Sequence, residues 1–324
     1  MSNIIFVQTK TQFRNVGDQL INKSLIDMLR KHGTLYVNDL DAPKWYLDSL
    51  GVRSEENVSN LGKKSFFFSV LFYSFRNIYL KKFRIYLFSG PGHLYGNSYA
   101  RAVKTCLSGF ASFILCVFQV RLVKIGVSLG PLGFTLGKAE AFRSLFVYKY
   151  FVRDSMSLSL AKDIWIRNPF FFPDLAWSFN PFKPHSGHVN DPQKKRILFS
   201  FRNSTDTESE SKDYLLRIVG SIRRIIALNN DAQFCFTYQV PEDKEACFFI
   251  MKQLSNVEFE FLEEPVSLVS SGGVYGAATC IVSNRLLVLL LAFKYGALPI
   301  ALIDKKNHIK ITGIFKDAGL EELL

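Results

Sequence analysis

The chain has 324 residues, which at roughly 150 per domain predicts about two domains, each long enough to bury a core. Its 48% hydrophobic content is that of a globular protein, while a formal charge of +12 and 31 Phe point to anionic partners or an apolar surface. Five scattered cysteines without disulfide or metal-ligand spacing argue for buried thiols in a reducing compartment, and no nucleic-acid motif accompanies the charge.

The opening reads as strand, glycine loop and helix. Residues 4–8 form a short apolar run at the N-terminus, with no secretory signal ahead of it. Leu20, Ile21, Leu25, Met28 and Leu29 fall at helical spacing, with Asp18 as N-cap and Gly33 as the stop. A strand at 35–38 completes a βαβ opening and predicts a parallel sheet. Residues 53–84 are irregular and rich in Lys, Arg and Phe. A buried strand at 84–89 runs into the loop Gly90-Pro91-Gly92-His93. A helix is predicted from Tyr99 to Val117. Its uncharged stretch 105–120 falls below the roughly 18–20 apolar residues of a membrane span, so a buried helix is expected. A strand at 122–127, the turn Gly130-Pro131-Leu132-Gly133, a helix near 138–148 and a strand entering a helix at 151–155 follow.

Residues 181–195 hold Pro181, Pro184, Pro192 and Gly187 among polar residues, and read as a linker between domains at 1–180 and 196–324. The alternation then restarts. Strands are predicted at 197–201, 233–238, 257–261, 279–283 and 298–303. Helices fall at 212–228, 243–254 and 285–295, with a short one opening at 265–269. Two such arrays predict an α/β protein with two Rossmann-like domains whose parallel sheets face a cleft.

Ligands of open parallel sheets bind beyond the carboxyl ends of strands, where helix N-termini offer N–H groups to anions. Asn15-Val16-Gly17-Asp18 occupies such a loop. Gly17 permits close backbone approach, and Asn15 or Asp18 can bond sugar hydroxyls; a plain turn is the competing reading. His93 is a candidate proton carrier, or a structural histidine. Arg202 follows the strand at 197–201 and Arg285 the strand at 279–283, with Ser283 or Asn284 capping the next helix. Two guanidinium groups beside a helix N-terminus suit a phosphate or carboxylate. Asp304-Lys305-Lys306 and Lys310 add cations at the same edge, or form a solvated charge run. The dinucleotide and P-loop glycine patterns are absent, and no metal site is expected.

Together these residues resemble the polysaccharide pyruvyl transferase family. Asn15-Val16-Gly17-Asp18 is similar to its N-x-G-D opening and Gly90-Pro91-Gly92 to its glycine turn. Gly126-Val127-Ser128-Leu129-Gly130-Pro131 resembles its strand and loop, Val152-Arg153-Asp154-Ser155-Met156-Ser157 its V-R-D-x-x-S, and Pro173-Asp174-Leu175-Ala176 its P-D-x-A. Ser200-Phe201-Arg202 and Asn284-Arg285-Leu286 look like its S-x-R and R-x-H segments. The resemblance implies a GT-B-like fold and transfer of a pyruvyl group from phosphoenolpyruvate to a sugar. The acceptor would belong to an exopolysaccharide, a capsule or a lipid-linked glycan precursor, and the product is a ketal. Phosphoenolpyruvate is then a substrate and no cofactor is needed. Arg202, Arg285, Ser283, Asn284 and Lys305 would take the donor. Asn15, Gly17, Asp18 and Gly92 would face the acceptor, with His93 and Asp18 as catalytic candidates.

One position departs from the family pattern. Leu287 stands where the family's expected proton-transfer histidine falls, two residues after the arginine, and leucine carries no proton. Either His93 or His308 substitutes, or the reaction differs, or the chain is impaired; Leu287 also fits an apolar helix as core. With Leu324 as the last residue, a terminal helix returning to the first domain is expected to be missing. A GT-B glycosyltransferase using a nucleotide sugar and a non-catalytic carbohydrate-binding or assembly protein are the competing readings. The expected partners are an anionic small-molecule donor and a glycan or lipid-linked glycan acceptor, with no nucleic acid. The expected location is cytoplasmic, with peripheral contact at the inner membrane face through residues 63–84.

Overall fold

The computed structural model describes residues 2–181, 195–203, 208–305 and 307–324. The linker expected at 181–195 lies almost wholly outside them. The chain divides into two units, Met1–Phe13 with Asp18–Ser178, and Arg14–Gly17 with Phe179–Leu324.

In the first unit, β1 (Ser2–Gln8) carries the unbroken buried run Ile4, Ile5, Phe6 and Val7. A strand covered on both faces needs such a run. It pairs in parallel with β2 (Thr34–Val37) on one side and β3 (Phe83–Ser89) on the other. With β5 (Arg121–Leu132), β6 (Lys149–Val152) and β7 (Pro169–Phe171) the order is β2-β1-β3-β5-β6-β7, and β4 (Gly92–Gly96) pairs with the distal part of β5. The connections carry α1 (Val16–Leu29), α2 (Lys44–Leu50), α3 (Phe66–Leu80), α4 (Tyr99–Val117), α5 (Phe134–Ser144) and α6 (Ser155–Asp163). Ile4, Phe6, Leu87, Leu122 and Tyr150 form the core, with Phe66, Phe67 and Leu71 of α3 packed against it.

Several segments depart from the sequence-based expectation. Much of the irregular stretch 53–84 is α3; apolar residues on every side of it hide the helical period. The strand expected at 122–127 continues to Leu132, because Gly92 and His93 are not loop but part of β4 and pair with Val127 and Ser128. Gly126 sits at φ 72° beside a register shift between Lys124 and Val127, a conformation open to glycine and strained for other residues. Asp18 lies inside the first turn of α1 and is not its N-cap; the Asn15 side chain accepts the Gly17 N–H at 3.0 Å instead. Finally, α4 is not a buried helix. Its 19 residues are long and apolar enough to cross a membrane, and 28% of that apolar window is buried.

Two buried polar clusters brace the first unit. Arg153 donates to Ser128 Oγ at 2.6 Å and to Asp174 at 3.0 Å. Ser128 donates in turn to Asp154, whose other oxygen accepts the Ser157 N–H at the start of α6. Ser128 has the G-x-S-x-G spacing of an exposed nucleophile, yet it lies buried inside β5. In the second cluster Glu140 of α5 accepts from Lys124 Nζ at 2.9 Å, Tyr150 Oη at 2.8 Å and the Arg143 guanidinium. Burial works against the Glu140 charge, but these donors outweigh it and hold the carboxyl at about 2.

The second unit is a five-stranded parallel sheet in the order β10-β9-β8-β11-β12. Its strands are β8 (Arg196–Ser200), β9 (Gln233–Phe236), β10 (Glu260–Phe261), β11 (Cys280–Ser283) and β12 (Leu298–Ala301). The helices are α7 (Glu208–Ala227), α8 (Pro241–Gln253), α9 (Ser271–Gly276), α10 (Leu286–Tyr295) and α11 (Ile309–Asp317). Phe199, Phe201, Ile222, Phe236 and Val282 fill its core. The short helix expected from 265 forms instead at α9, and α11 has no counterpart in the sequence reading.

Candidate functional site

The site is built on strand register. Ser200 of β8 pairs with Ser283 of β11, so Arg202 and Arg285 each stand two residues past one register pair, at the carboxyl edge of the sheet. Asn284 locks them there. Its Oδ1 accepts the Arg202 N–H at 2.9 Å, while Nδ2 donates to the Arg202 carbonyl at 2.8 Å and to Tyr214 Oη at 3.1 Å. Ser283 Oγ donates to the Ser200 carbonyl at 2.6 Å and accepts the Arg285 N–H at 3.0 Å. Both side chains are fully buried. Ser283 and Asn284, expected to take the donor, instead spend their polar atoms on internal hydrogen bonds that position the two arginines. Nor do they cap α10, whose N-cap residue is Arg285 itself.

Arg285 has a partner that the sequence did not reveal. Its guanidinium forks onto Asp243 in the first turn of α8, with Nη2 to Oδ1 at 2.5 Å and Nε against Oδ2. Asp243 is 2% exposed. Burial pushes its carboxyl above the ordinary range, against the pull of Arg285 and of the nearby Arg202. Arg202 and Arg285 thus share the neighbourhood of one buried carboxylate. Such an arrangement can hold an anion, with Arg202 exposed and Arg285 held in a fixed geometry.

His308 joins this neighbourhood. It precedes α11, is 7% exposed, and its ring stacks on Tyr214 with centroids 5.8 Å apart. Nδ1 lies 3.1 Å from the Asp304 carbonyl, and Nε2 has no hydrogen-bond partner among the described residues. Burial lowers its pKa and the Arg202 charge adds to that, although the Asp304 carbonyl opposes them. Lys305 is exposed and its carbonyl accepts from Thr312; Lys306 lies outside the described residues.

The remaining candidates stand elsewhere. Asp18, Gly92 and His93 belong to the first unit. Asp18 accepts the Thr11 hydroxyl at 2.5 Å, and Gly92 is exposed with open space around it. His93 is an exposed β4 residue stacked on Tyr95 at 4.5 Å, not a loop residue at a helix N-terminus. Asn15 and Gly17 group with the second unit, where Gly17 meets Leu287. Leu287 is half-buried, outside the fully buried core of its neighbours on α10. A Cβ at Gly17 would come within 1.8 Å of Leu287 Cδ1. Gly17→Ala is accordingly expected to cost about 1–3 kcal/mol by overpacking, and Leu287→Ala in the same chain to restore most of it. Urea midpoints of the two single variants and the double variant check this.

Parallel βα units of this kind are the architecture of GT-B-type enzymes, and solved structures of that type match. A UDP-GlcNAc 2-epimerase from Methanocaldococcus jannaschii aligns over 97% of this chain and 88% of its own, at TM-score 0.55 and 13% identity. The Neisseria meningitidis UDP-GlcNAc 2-epimerase bound to UDP-GlcNAc aligns over 100% and 94%, at TM-score 0.55 and 12% identity. At these identities the likeness is one of fold alone. No curated protein matches the chain. The family model for polysaccharide pyruvyl transferase matches residues 15–286. The chain belongs to the polysaccharide pyruvyl transferase family.

Proposed function

We propose that the protein transfers the pyruvyl group of phosphoenolpyruvate to two hydroxyls of one glycan sugar, forming a ketal and releasing phosphate. The observation that most supports this reading is the placing of Arg202 and Arg285 two residues past one register pair, at the carboxyl edge of one sheet. The donor's phosphate and carboxylate would be taken by Arg202 and by the N–H groups that Asp243 leaves on Arg285. In the reaction the methylene carbon gains one proton, two sugar oxygens bond to the central carbon, and the carbon–oxygen bond to phosphate breaks. Of the two hydroxyl protons, one ends on the new methyl group and the other leaves with phosphate.

With Leu287 unable to carry a proton, His308 is the residue best suited to move one. It is held neutral near pH 7 and keeps Nε2 without a partner among the described residues. The test is phosphate release from phosphoenolpyruvate with a panel of glycan acceptors. Arg202→Ala should lower turnover roughly 10²–10³-fold, the scale of losing one charge-stabilising donor. The wild-type rate should hold as pH falls past 6.5, then drop through the lowered His308 pKa, and His308→Asn should remove that limb. Neutral His308 likewise favours the fold above pH 6.5, and that contribution is lost as pH falls through the same lowered value. Protection of the fold by UDP-GlcNAc, with none by phosphoenolpyruvate, would replace this reading with a nucleotide-sugar one.

A further inference from the structure

Two helices of the first unit turn large apolar side chains outward. α3 buries Ser69, Val70 and Ser74, while Phe68 is 62% and Tyr79 76% exposed, with Phe72 and Phe75 beside them. α4 buries Ala102, Thr105, Gly109, Ser112 and Leu115, and turns Leu107 (63% exposed), Ile114 and Val117 outward. A water-facing helix shows the reverse pattern. The rings of Phe75 and Phe118 lie 6.2 Å apart, so the end of α4 adjoins α3. Between them Phe68, Leu71, Phe72, Phe75 and Phe118 line an apolar hollow of about 570 Å³ with Lys63 and Lys64 at its margin. Contiguous exposed apolar surface of this kind marks an interaction site.

Charge identifies the occupant. From Asn57 to Ala139 the chain contains no Asp or Glu, while Lys63, Lys64, Arg76, Lys81 and Lys82 flank or lie on α3. Lys63 Nζ sits 4.1 Å above the Phe72 ring. Past the C-terminal ends of α3 and α4 lies a second hollow of about 880 Å³, lined by Lys81, Arg84, Arg121, Lys149 and Arg167 and by no described Asp or Glu. Arg121 is steadied there between Tyr86 and Tyr148.

We propose that the α3–α4 face docks in the plane of an anionic lipid bilayer, its aromatic and aliphatic side chains entering the headgroup layer and the cationic hollow receiving lipid phosphates. An apolar face edged by Lys and Arg is what such an interface binds. A second copy would set this acid-free positive surface against itself. Although α4 is long enough to span, its buried stripe packs onto α5 and β5, which keeps it on the surface of the fold.

The test is flotation of the full chain with vesicles of phosphatidylcholine alone or mixed with phosphatidylglycerol. Binding is expected to the mixed vesicles and to weaken in high salt. Lys63→Ala with Lys64→Ala should lower partitioning about 25-fold, roughly fivefold for each basic residue at an anionic surface. Phe68→Ser with Tyr79→Ser should lower it at least about tenfold, with the melting temperature unchanged because both side chains face outward. Failure of the wild type to float, or equal flotation of these variants, overturns the proposal. So does a lipid-free dimer in sedimentation that Phe68→Ser dissolves, since the face would then belong to a second copy.

Discussion

Arg285→Ala is expected to abolish phosphoenolpyruvate-dependent phosphate release and to unfold the second unit at a markedly lower temperature. The loss of stability traces to one carboxylate. Asp243 is buried and paired with Arg285 through one hydrogen bond and a close ion-pair contact, so removing the arginine leaves a charge in the interior without its main partner. The loss from breaking a buried pair on one side is about 3–5 kcal/mol. The Asp243 carboxyl is already raised by burial, so its ionisation is a net cost to the fold as pH rises above 3.8. Removing both charges, as in Arg285→Met with Asp243→Leu, should therefore recover most of the stability and none of the turnover. Calorimetry and phosphate release, run on the single and double variants, separate the two roles. Recovery of turnover in the double variant would take Arg285 out of the donor site.

Glu140→Gln is expected to destabilise the first unit by about 3–5 kcal/mol, because Lys124 would remain buried without its counter-charge. Burial already lowers the Lys124 pKa to about 8, against the pull of Glu140, so the variant should shed that proton near neutral pH. The sign for Glu140 is opposite to that for Asp243. Its pKa is depressed to about 2, so its contribution is present above pH 4.5 and is lost as pH falls through about 2. Urea midpoints recorded across that acid window should fall less steeply for Glu140→Gln than for the wild type. Parallel slopes would mean that the cluster carries no linked proton.

How far the sequence could be read depended on whether a feature is local. Ile4 to Val7, the period of Leu20, Leu25 and Leu29 in α1, and the apolar run of β11 each signal themselves within a few residues, and each element is present. α3 hid because Phe and Tyr occupy all its sides, so no period marks which side faces the sheet. Asp243 hid for another reason: 42 residues separate it from Arg285, and only the shared sheet edge brings them together. Ser128, Arg153 and Asp174 stood out as motif residues, yet they form a buried brace. A short motif does not say whether its side chains turn inward or toward a ligand.

The amino-acid order alone determined the alternation of strand and helix, the parallel sheets implied by continuous buried runs, and the placing of Arg202 and Arg285 just past strand ends. Tertiary structure alone decided that Asn284 ties down the Arg202 backbone, that Asp243 pairs with the Arg285 guanidinium, and that α4 turns its large apolar residues outward. The reason is physical. Strand and helix periods are written by neighbours two to four residues apart, whereas the partner of a buried charge and the outward face of a helix depend on what distant parts of the chain pack against them.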